Sequence, residues 1–428
     1  SSFRFLLIKI TSLIFELGQR QAFFMINSRL FIFVLVISLI FQGCKTSRVS
    51  SSQNQSLDTL VVSVDTLQPT TNLPAPPHYI TSTGDTLESL DISIPIKIGR
   101  VKQDSIHFAA VGDMMMGTNF PNAGYLPNNK GNNLWKEVKE ELQDADVTFG
   151  NLEGVILDAG GQQKKCNNPK ACFLFRTPEF LAFHYKQVGF DLLSVANNHA
   201  NDFGETGRLT TQRILDSLDI LHAGSENVPY QILRQKGYTV GFVAFAPNKG
   251  TLSLHDEVTA MAIIKHIDSL TDVVVVSFHA GAEGSKNQHI TRKREFYYGE
   301  DRGNVYEFAR KCIDSGADVL FGHGPHVPRA IDLYKGRIVA YSLGNFLTYG
   351  RFNLKGANAY APLMHVYTDN QGKFMHGSIT SYIQTYENGP ITDPKNRAAL
   401  QIQMLTKSDF PESQIYIDDS GRILYLQR

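Results

Sequence analysis

The chain has 428 residues, and its 41 basic and 41 acidic side chains give a formal net charge of zero. Hydrophobic residues make up 42% and charged residues 19%, which is the composition of a globular protein with a sizeable core. Nucleic-acid binding usually requires a basic excess, so we expect no nucleic-acid partner. The length allows one large domain with appendages, or two domains.

A segment typical of export begins at Met25. Arg29 precedes an apolar run over residues 30–41, and Gly43 and Cys44 follow it directly. The run is shorter than the ~20 apolar residues that span a bilayer, but its length suits a signal peptide. The small residue before the cysteine resembles a bacterial lipoprotein cleavage site, at which Cys44 would become lipidated. The alternative is an uncleaved anchor with an ordinary cysteine.

The sequence divides into five segments by composition and pattern. Residues 1–24 contain no methionine and are interpreted as a gene-model extension before a true start at Met25. A lipoprotein signal peptide is predicted over 25–43, a flexible tether rich in Ser, Thr and Pro over 44–103, the main domain over 104–365, and a C-terminal extension packing on that domain over 366–428. We therefore expect a protein of the cell envelope, attached to the membrane by lipid and facing the periplasm or the exterior.

Three further cysteines lie in the main domain. Cys166 and Cys172 flank a polar loop that contains Pro169, and a disulfide between them is predicted because export permits one. A zinc site at this loop is not indicated, since no second pair of ligands is near in sequence. Cys312 lies in an amphipathic helical pattern and is predicted to be a core residue.

From Ser105 onward, short apolar runs rich in β-branched residues alternate with helical patterns. This alternation predicts an α/β domain with a largely buried sheet. In chain order the predicted elements are a strand "IHFAAVGD", a helix "WKEVKEELQDA", a strand "DVTFGNLEG", a helix "TPEFLAFHYKQVG", a strand "FDLLSVANNH", a helix "TGRLTTQRILDSLD", a strand "ILHAG", a strand "YTVGFVAFA", a strand "TDVVVVSFHAGAE", a helix "VYEFARKCIDSG", a strand "ADVLFGHGPH" and a single strand "RIVAYSLGNFLT".

Residues of the kind that bind metals recur at the ends of these strands. Each has a structural explanation on its own, as a helix cap, an ion-pair partner or a hydrogen-bonded histidine. Parallel strands, however, bring their carboxyl ends to one edge of a sheet, so residues distant in sequence converge there. The mixture of carboxylate, amide and imidazole predicts one or two Mn, Fe or Zn ions. The residues are Asp113, Asn151, Glu153, Asn198, His199, His279, His323 and His326.

Six ordered motifs carry a resemblance to a known family. They are "AAVGDMMMG", "VTFGNLEG", "VANNHANDFGETG", "SFHAGAE", "GADVLFGHGPHV" and "IVAYSLGNF", between Ile106 and Tyr349. They resemble the CapA family, named for poly-γ-glutamate capsule synthesis, whose domain is similar to the calcineurin-like metallophosphoesterases. The resemblance implies a layered metallophosphoesterase-like β-sandwich flanked by helices.

The resemblance also implies residue roles. The motif of the wider superfamily has a bridging aspartate, for which this sequence offers Asn151 or Glu153, and a histidine where Met115 stands. By resemblance, His199 faces the phosphate, and catalytic roles are expected for His199, Asn198 and Asp202. The metal ligands implied are Asp113, Asn198, His279, His323 and His326, with Asn151 or Glu153.

Three hypotheses for the function remain open at this point. The first is a metal-dependent hydrolase of a phosphoester or related anionic substrate. The second, which Met115 favours, is a non-catalytic component that binds an anionic polymer beside capsule-synthesis partner proteins. The third is an amide hydrolase on such a polymer. Arg176 and Arg329 are candidate anion clamps, because a guanidinium offers two parallel donors to phosphate or carboxylate. Surface ion pairing is the alternative for both arginines.

Overall fold

The computed structural model describes residues 105–165 and 173–426. Cys44, the signal segment, the tether and the predicted disulfide between Cys166 and Cys172 lie outside the described residues. Among the described residues, no helix combines the length and the apolar character needed to cross a membrane.

Strands dominate the described part of the chain. In chain order they are β1 (Ser105–Met115), β2 (Val147–Leu152), β3 (Val155–Ile156), β4 (Arg176–Thr177), β5 (Leu192–Ser194), β6 (Leu221–Ala223), β7 (Tyr230–Gln235), β8 (Tyr238–Phe245), β9 (Val273–His279), β10 (Phe296–Tyr297), β11 (Glu300–Asp301), β12 (Val319–His323), β13 (Ile331–Tyr334), β14 (Arg337–Ala340), β15 (Asn345–Thr348), β16 (Tyr360–Asp369), β17 (Phe374–Thr385), β18 (Gly389–Thr392), β19 (Ile415–Ile417) and β20 (Arg422–Tyr425).

Six α-helices connect these strands in the described residues. They are α1 (Lys139–Asp144), α2 (Glu179–Gln187), α3 (Gly204–Ser217), α4 (Glu257–Asp268), α5 (Val305–Asp314) and α6 (Arg397–Asp409). The start of α5 follows from its sequence, because the side chain of Asn304 accepts a hydrogen bond from the backbone N–H of Glu307. The four predicted helices are present as α1, α2, α3 and α5, whereas α4 and α6 lie in segments for which the sequence analysis predicts no helix.

Two sheets form the centre of the fold. The first has the order β19-β20-β17-β16-β1-β2-β5-β6, with β15 also paired to β1 and β18 to β17. Its strands β1, β2, β5 and β6 run parallel. The second has the order β13-β14-β12-β9-β8-β7, and β14, β12, β9 and β8 run parallel. Each sheet therefore has a run of parallel strands whose carboxyl ends share one edge.

The inner faces of the two sheets pack on each other. Phe149 of β2 stacks on Phe321 of β12 at a ring-centroid distance of 5.1 Å and meets Phe242 of β8 edge-on at 5.6 Å. Helices α1 to α3 cover the outer face of the first sheet, and α4 and α5 cover that of the second. A strand such as "VVVVSFH" is therefore buried along its whole length, as continuous apolar runs require. The predicted layered α/β sandwich is confirmed.

The segment "RIVAYSLGNFLT" differs from its prediction as a single strand. It forms β14 in the second sheet and β15 in the first, joined by residues 341–344. Gly344 has φ of 63°, and a Cβ there would lie 2.9 Å from Pro328 Cδ, so the crossing needs a glycine. A continuous apolar run is equally compatible with both sheets, which is why pattern alone predicts one strand.

The C-terminal residues belong to the main sheet. The predicted boundary at residue 365 falls inside β16, which pairs with β1 from Ser105 to Val111. Residues 374–425 then supply β17 to β20 of the same sheet, and α6 packs on β17. Instead of forming an appended extension, residues 366–426 complete the sheet that carries the candidate centre.

Candidate metal centre

Two pairs of facing residues bring potential ligands to one edge of the sandwich. Asp113 of β1 lies opposite Asn151 of β2, and His279 of β9 lies opposite His323 of β12. All four are fully buried. Asp113 Oδ1 lies 3.3 Å from His323 Nδ1 and 4.0 Å from His279 Nδ1. Residues from four strands and both sheets therefore meet around a single carboxylate.

Asp113 is the hub of this cluster. Its Oδ1 accepts a hydrogen bond of 2.8 Å from Asn151 Nδ2, and its Oδ2 lies 2.9 Å from His326 Nδ1. Burial acts to raise the pKa of Asp113, but hydrogen bonds with His323 and His326 outweigh it and hold that pKa well below its ordinary value. Asp113 is therefore ionised at neutral pH.

His326 reaches the cluster because the chain turns back after β12. Gly324 has φ of 110°, and a Cβ there would lie 2.8 Å from Ala280 O, so only glycine fits. His326 itself has φ of 58°, and its Nε2 lies 3.6 Å from Glu153 Oε1. Burial lowers the pKa of His326, but Glu153 and the hydrogen bond with Asp113 outweigh it and raise the pKa to about 10.

Glu153 follows β2 and is fully buried. Neither of its carboxylate oxygens has a hydrogen-bond partner among the described residues. Burial raises the pKa of Glu153 well above its ordinary value, and the charges of Asp113 and Glu283 add to that rise. Ligand atoms of Asp113, Glu153 and His326 lie within 4.8 Å of one another, close enough to hold a metal ion. A bound cation would compensate for the carboxylate charge that burial disfavours.

The buried atoms that lack partners fit a transition metal. Leaving such atoms without a partner costs about 1–3 kcal/mol each, and native proteins rarely do so. Burial lowers the pKa of His279 well below its ordinary value, so its imidazole is neutral, which is the form that ligates. The atoms concerned are Glu153 Oε1 and Oε2, Asn198 Oδ1, His279 Nε2 and His323 Nε2.

Asn151 and Glu153 compete by sequence for the bridging position, and the structure separates them. The Nδ2 of Asn151 donates to Asp113, and its Oδ1 accepts from Asn197 Nδ2 at 3.3 Å. Both ends of this amide are hydrogen-bonded, whereas neither oxygen of Glu153 has a hydrogen-bond partner among the described residues. The geometry therefore favours Glu153 as the ligand and Asn151 as a residue that orients Asp113.

His199 is held at the rim of the cluster. Its Nδ1 lies 2.7 Å from Asp202 Oδ2, and its ring lies 4.1 Å, centroid to centroid, from the ring of Phe175. Asp202 is fully buried and also accepts a 2.8 Å hydrogen bond from the backbone N–H of Phe175. With Nδ1 facing Asp202, Nε2 points toward the centre and lies 3.8 Å from Glu153 Oε1. Asp202 is thus a positioning residue.

Asn197 fixes the first residues of the loop that follows β5. Its Nδ2 donates to Leu152 O at 2.8 Å, and its Oδ1 accepts from the backbone N–H of His199 at 3.1 Å. The neighbouring Asn198 keeps its Oδ1 unpartnered, as a ligand requires. Sequence analysis assigns no role to Asn197, because one Asn in "ANNH" cannot be told from the other without the backbone that it bonds.

The sequence matches the family described as "Bacterial capsule synthesis protein PGA_cap" over residues 107–349. This chain belongs to that family. The matched range contains the residues of the candidate centre, from Asp113 to His326. The predicted relationship to CapA is therefore confirmed at the level of the family.

The alignments with named relatives cover part of this PGA_cap chain and part of each relative. "Capsule biosynthesis protein CapA" of Bacillus anthracis is 29% identical over 268 residues, 58% of this chain and 60% of that protein. "PGA biosynthesis protein CapA" of Bacillus subtilis (strain 168) is 27% identical over 271 residues, 59% of this chain and 65% of that protein. The chain thus spans less than two thirds of either relative. A putative 5'-nucleotidase from Staphylococcus aureus is 15% identical, with a TM-score of 0.39 over 70% of this chain and 58% of its own.

The two arginines proposed as anion clamps have other contacts in the structure. Arg176 donates from Nε to Asn119 Oδ1 at 2.7 Å, and its guanidinium lies 4.9 Å from the ring centroid of Phe203. Arg329 is fully buried and forms two hydrogen bonds with the carboxylate of Glu295, at 3.0 Å and 2.8 Å. The geometry favours a structural ion pair for Arg329, in place of a clamp that receives a substrate.

Replacing Arg329 with methionine should therefore destabilise the fold. The change leaves the Glu295 carboxylate buried without its partner, which costs about 3–5 kcal/mol. Urea unfolding would measure the loss in the free energy of unfolding. The double variant Arg329→Met with Glu295→Leu should recover most of it, because no charge is then left buried. A single variant as stable as the wild type would contradict the structural role.

Three residues at the centre carry no role in the sequence analysis. Asn345 accepts at Oδ1 from His326 Nδ1 at 3.1 Å, and Glu283 Oε2 lies 3.9 Å from His326 Nε2. Glu283 is held by the buried Arg302, whose Nη1 lies 3.2 Å from its Oε1. Glu283 lies within the motif "SFHAGAE", shortly after the end of β9, so the convergence of parallel strand ends could have indicated it, whereas Asn345 begins β15 and is not at the end of a strand. Arg302 has no such signal.

Proposed function

We propose that this chain is a metal-dependent hydrolase of a phosphoester or related anionic substrate, and that it acts at the cell envelope in capsule or poly-γ-glutamate synthesis. The observation that carries the proposal is the set of unpartnered, buried ligand atoms of Glu153, His279 and His323, gathered at one edge of both sheets. The names of the two CapA relatives, which refer to capsule and PGA biosynthesis, support the link to capsules.

The donor set fits one or two divalent transition ions, with Mn, Fe or Zn as candidates. A bound ion of this kind would lower the pKa of water toward about 7 and polarise the bond under attack. Asp113, Glu153, His279, His323 and His326 would hold it, with Asn198 as the amide ligand.

His199 would supply the proton chemistry. Asp202 holds Nδ1 at 2.7 Å, so the tautomer and the ring orientation are set by a buried carboxylate. The Nε2 that faces the centre is then the atom that accepts or donates a proton at the reacting group. The ring of Phe175, tilted by 35° against the His199 ring, restricts its rotation. Positioning and proton transfer are thus carried by residues of this chain alone.

Removal of metal tests the proposal most directly. We expect the purified full-length chain to contain bound transition metal and to hydrolyse a chromogenic phosphodiester such as bis(p-nitrophenyl) phosphate. Incubation with a chelator should abolish hydrolysis, and addition of Mn²⁺ or Zn²⁺ should restore it. A protein that hydrolyses equally well after complete removal of metal would contradict the proposal.

A non-catalytic role in binding an anionic polymer is the second candidate. The observation that favours it is Met115, which stands where the wider motif has a histidine and whose sulfur accepts a 3.2 Å hydrogen bond from the N–H of Gly117. In that case the protein would bind metal, but no phosphoester or amide of the polymer would be cleaved.

We also propose attachment to the membrane through Cys44. Replacing Cys44 with serine should leave the precursor unprocessed or release the protein into the soluble fraction. Stable anchoring requires more than one acyl chain, because a single chain binds only marginally. Metabolic labelling with a fatty acid, followed by fractionation, would measure the effect. Equal labelling of the Cys44→Ser variant would contradict lipid attachment at this residue.

A further inference from the structure

A cavity of about 450 Å³ adjoins the candidate metal centre. Its volume lies within the range of roughly 300–1,000 Å³ that is usual for small-molecule sites. The loop after β5 contributes Asn198 and Asn201, the loop after β8 contributes residues 247–249 and His255, and Lys164 and β11 complete the wall. Because Asn198 lines this wall and the Nε2 of its neighbour His199 lies 3.8 Å from Glu153 Oε1, a ligand bound at the centre can extend into the cavity.

Cations with neutral partners surround this cavity. Lys164 Nζ donates to the backbone oxygen of Asn198 at 3.0 Å. Arg208 Nη1 donates to the side-chain oxygen of Asn201, and Lys249 is exposed at the mouth. The contacts of Lys164 and Arg208 described here are with uncharged oxygens, so their positive charges remain available to an anion.

Each acidic residue of the wall lies near an arginine side chain. Glu300 Oε2 lies 3.6 Å from Arg302 Nη1, and Asp301 Oδ2 lies 3.3 Å from Arg294 Nε. Arg302 is shared with Glu283, so these two arginines offset only part of the negative charge of Glu283, Glu300 and Asp301. Lys164, Lys249 and Arg208 add three further positive charges, so the side chains named here carry five positive and three negative charges.

A second feature of the cavity indicates a ligand that has hydrogen-bond donors as well as acid groups. The Oδ1 atoms of Asn198 and Asn248 are buried, and neither has a hydrogen-bond partner among the described residues. Both asparagines line the cavity. The Asn198 oxygen is assigned above to the metal, which leaves the Asn248 oxygen to accept a hydrogen bond from a ligand. An amide N–H or a hydroxyl group along the ligand would satisfy it.

We propose that this cavity is a subsite for the part of the substrate beyond the reacting bond, and that Lys164 and Lys249 bind its acid groups there. The substrate is then a chain with several carboxylates or phosphates, linked by units that donate hydrogen bonds. The identity of the ligand as a substrate rests on the proposed function, whereas the binding site itself does not.

Binding of labelled acidic chains tests the subsite. The probe is fluorescein-labelled tetra-γ-glutamate, measured by fluorescence anisotropy with the full-length chain. Unlabelled tetra-γ-glutamate and a tetramer of glycerol phosphate compete as the carboxylate and phosphate arms, against glutamate and glycerol phosphate as monomers. We expect at least one tetramer to compete at least tenfold better than its monomer, and the binding to weaken as salt is raised.

Variants locate the binding. Lys164→Ala with Lys249→Ala should weaken the better tetramer at least tenfold, and Lys249→Glu alone should weaken it through an exposed side chain that is not needed for folding. Lys407→Ala, which removes an exposed lysine on α6, should bind as the wild type does. Tetramer affinity unchanged in both lysine variants, or no preference for either tetramer over its monomer, would overturn the subsite.

Metal content measured on the same samples separates this proposal from the proposed function. If the wild type lacks metal but binds a tetramer through the two lysines, the proposed hydrolase function is wrong and the proposed subsite is supported. If the wild type holds metal but binds both tetramers independently of the lysines, the proposed subsite is wrong and the proposed function is not contradicted.

Discussion

Replacing Asp113 or His279 with alanine should remove the transition metal from the purified protein. Asp113 contacts Asn151, His323 and His326, and its charge is the one around which the other ligands gather. Replacement of residues that merely orient ligands costs about 10–100-fold in metal affinity, so loss of a ligand should cost at least about 100-fold. Elemental analysis of protein prepared without chelator would measure the bound metal.

His184→Ala is the matched control for this prediction. Like His279, His184 is a buried imidazole. It lies on helix α2, away from the candidate centre, and its Nε2 is hydrogen-bonded to the backbone oxygen of Lys130 at 2.8 Å. Its loss should lower stability without changing metal content. Far-UV circular dichroism would establish that each variant is folded. If Asp113→Ala and His279→Ala retained one equivalent of metal, the assignment of the centre would be wrong and the polymer-binding hypothesis would lead.

Replacing His199 with alanine should slow hydrolysis by about 10²–10⁴-fold while leaving the metal bound. That range is the usual contribution of a positioned acid or base. His199 Nε2 faces the centre at 3.8 Å from Glu153 Oε1, and the predicted metal ligands do not depend on it. Turnover of a chromogenic phosphodiester, together with elemental analysis, would separate loss of proton transfer from loss of metal.

Asp202→Asn tests how His199 is oriented. Asparagine retains an oxygen for the N–H of Phe175 but lacks the charge that fixes the tautomer of His199, so the rate should fall while the fold is kept. The matched control is His222→Ala, because His222 is a buried histidine paired with Asp216 at 3.1 Å on edge strand β6. Wild-type rates in both His199→Ala and Asp202→Asn would exclude His199 from the chemistry.

The alternation of apolar runs and helical patterns predicts the layers of this fold, and the strand-end rule brings Asp113, Asn151, His279 and His323 to one edge. These inferences succeed because burial of an entire parallel strand requires a continuous apolar run, and because parallel strands share the direction of their ends. Local sequence is sufficient for both conclusions. The same rule extends to Glu283, which follows β9, but not to Asn345, which begins β15.

Only the tertiary structure decides which atoms at this edge are free. Asn151 and Glu153 are two residues apart and equally suited to a metal by sequence, yet the amide is bonded at both ends and the carboxylate at neither. Arg329 is likewise withdrawn from a binding role by Glu295, which lies 34 residues away.

The six ordered motifs indicate the family by resemblance, and the alternation of strands and helices and the residue types at the strand ends follow from periodicity and composition along the chain. The crossing of residues 341–344 between the sheets, the inclusion of residues 366–426 in the first sheet, and the cationic cavity beside Asn198 were decided by tertiary structure. Each depends on which distant segments of the chain pack together. The free energy of burying a polar group is set by whether the fold provides a partner for it.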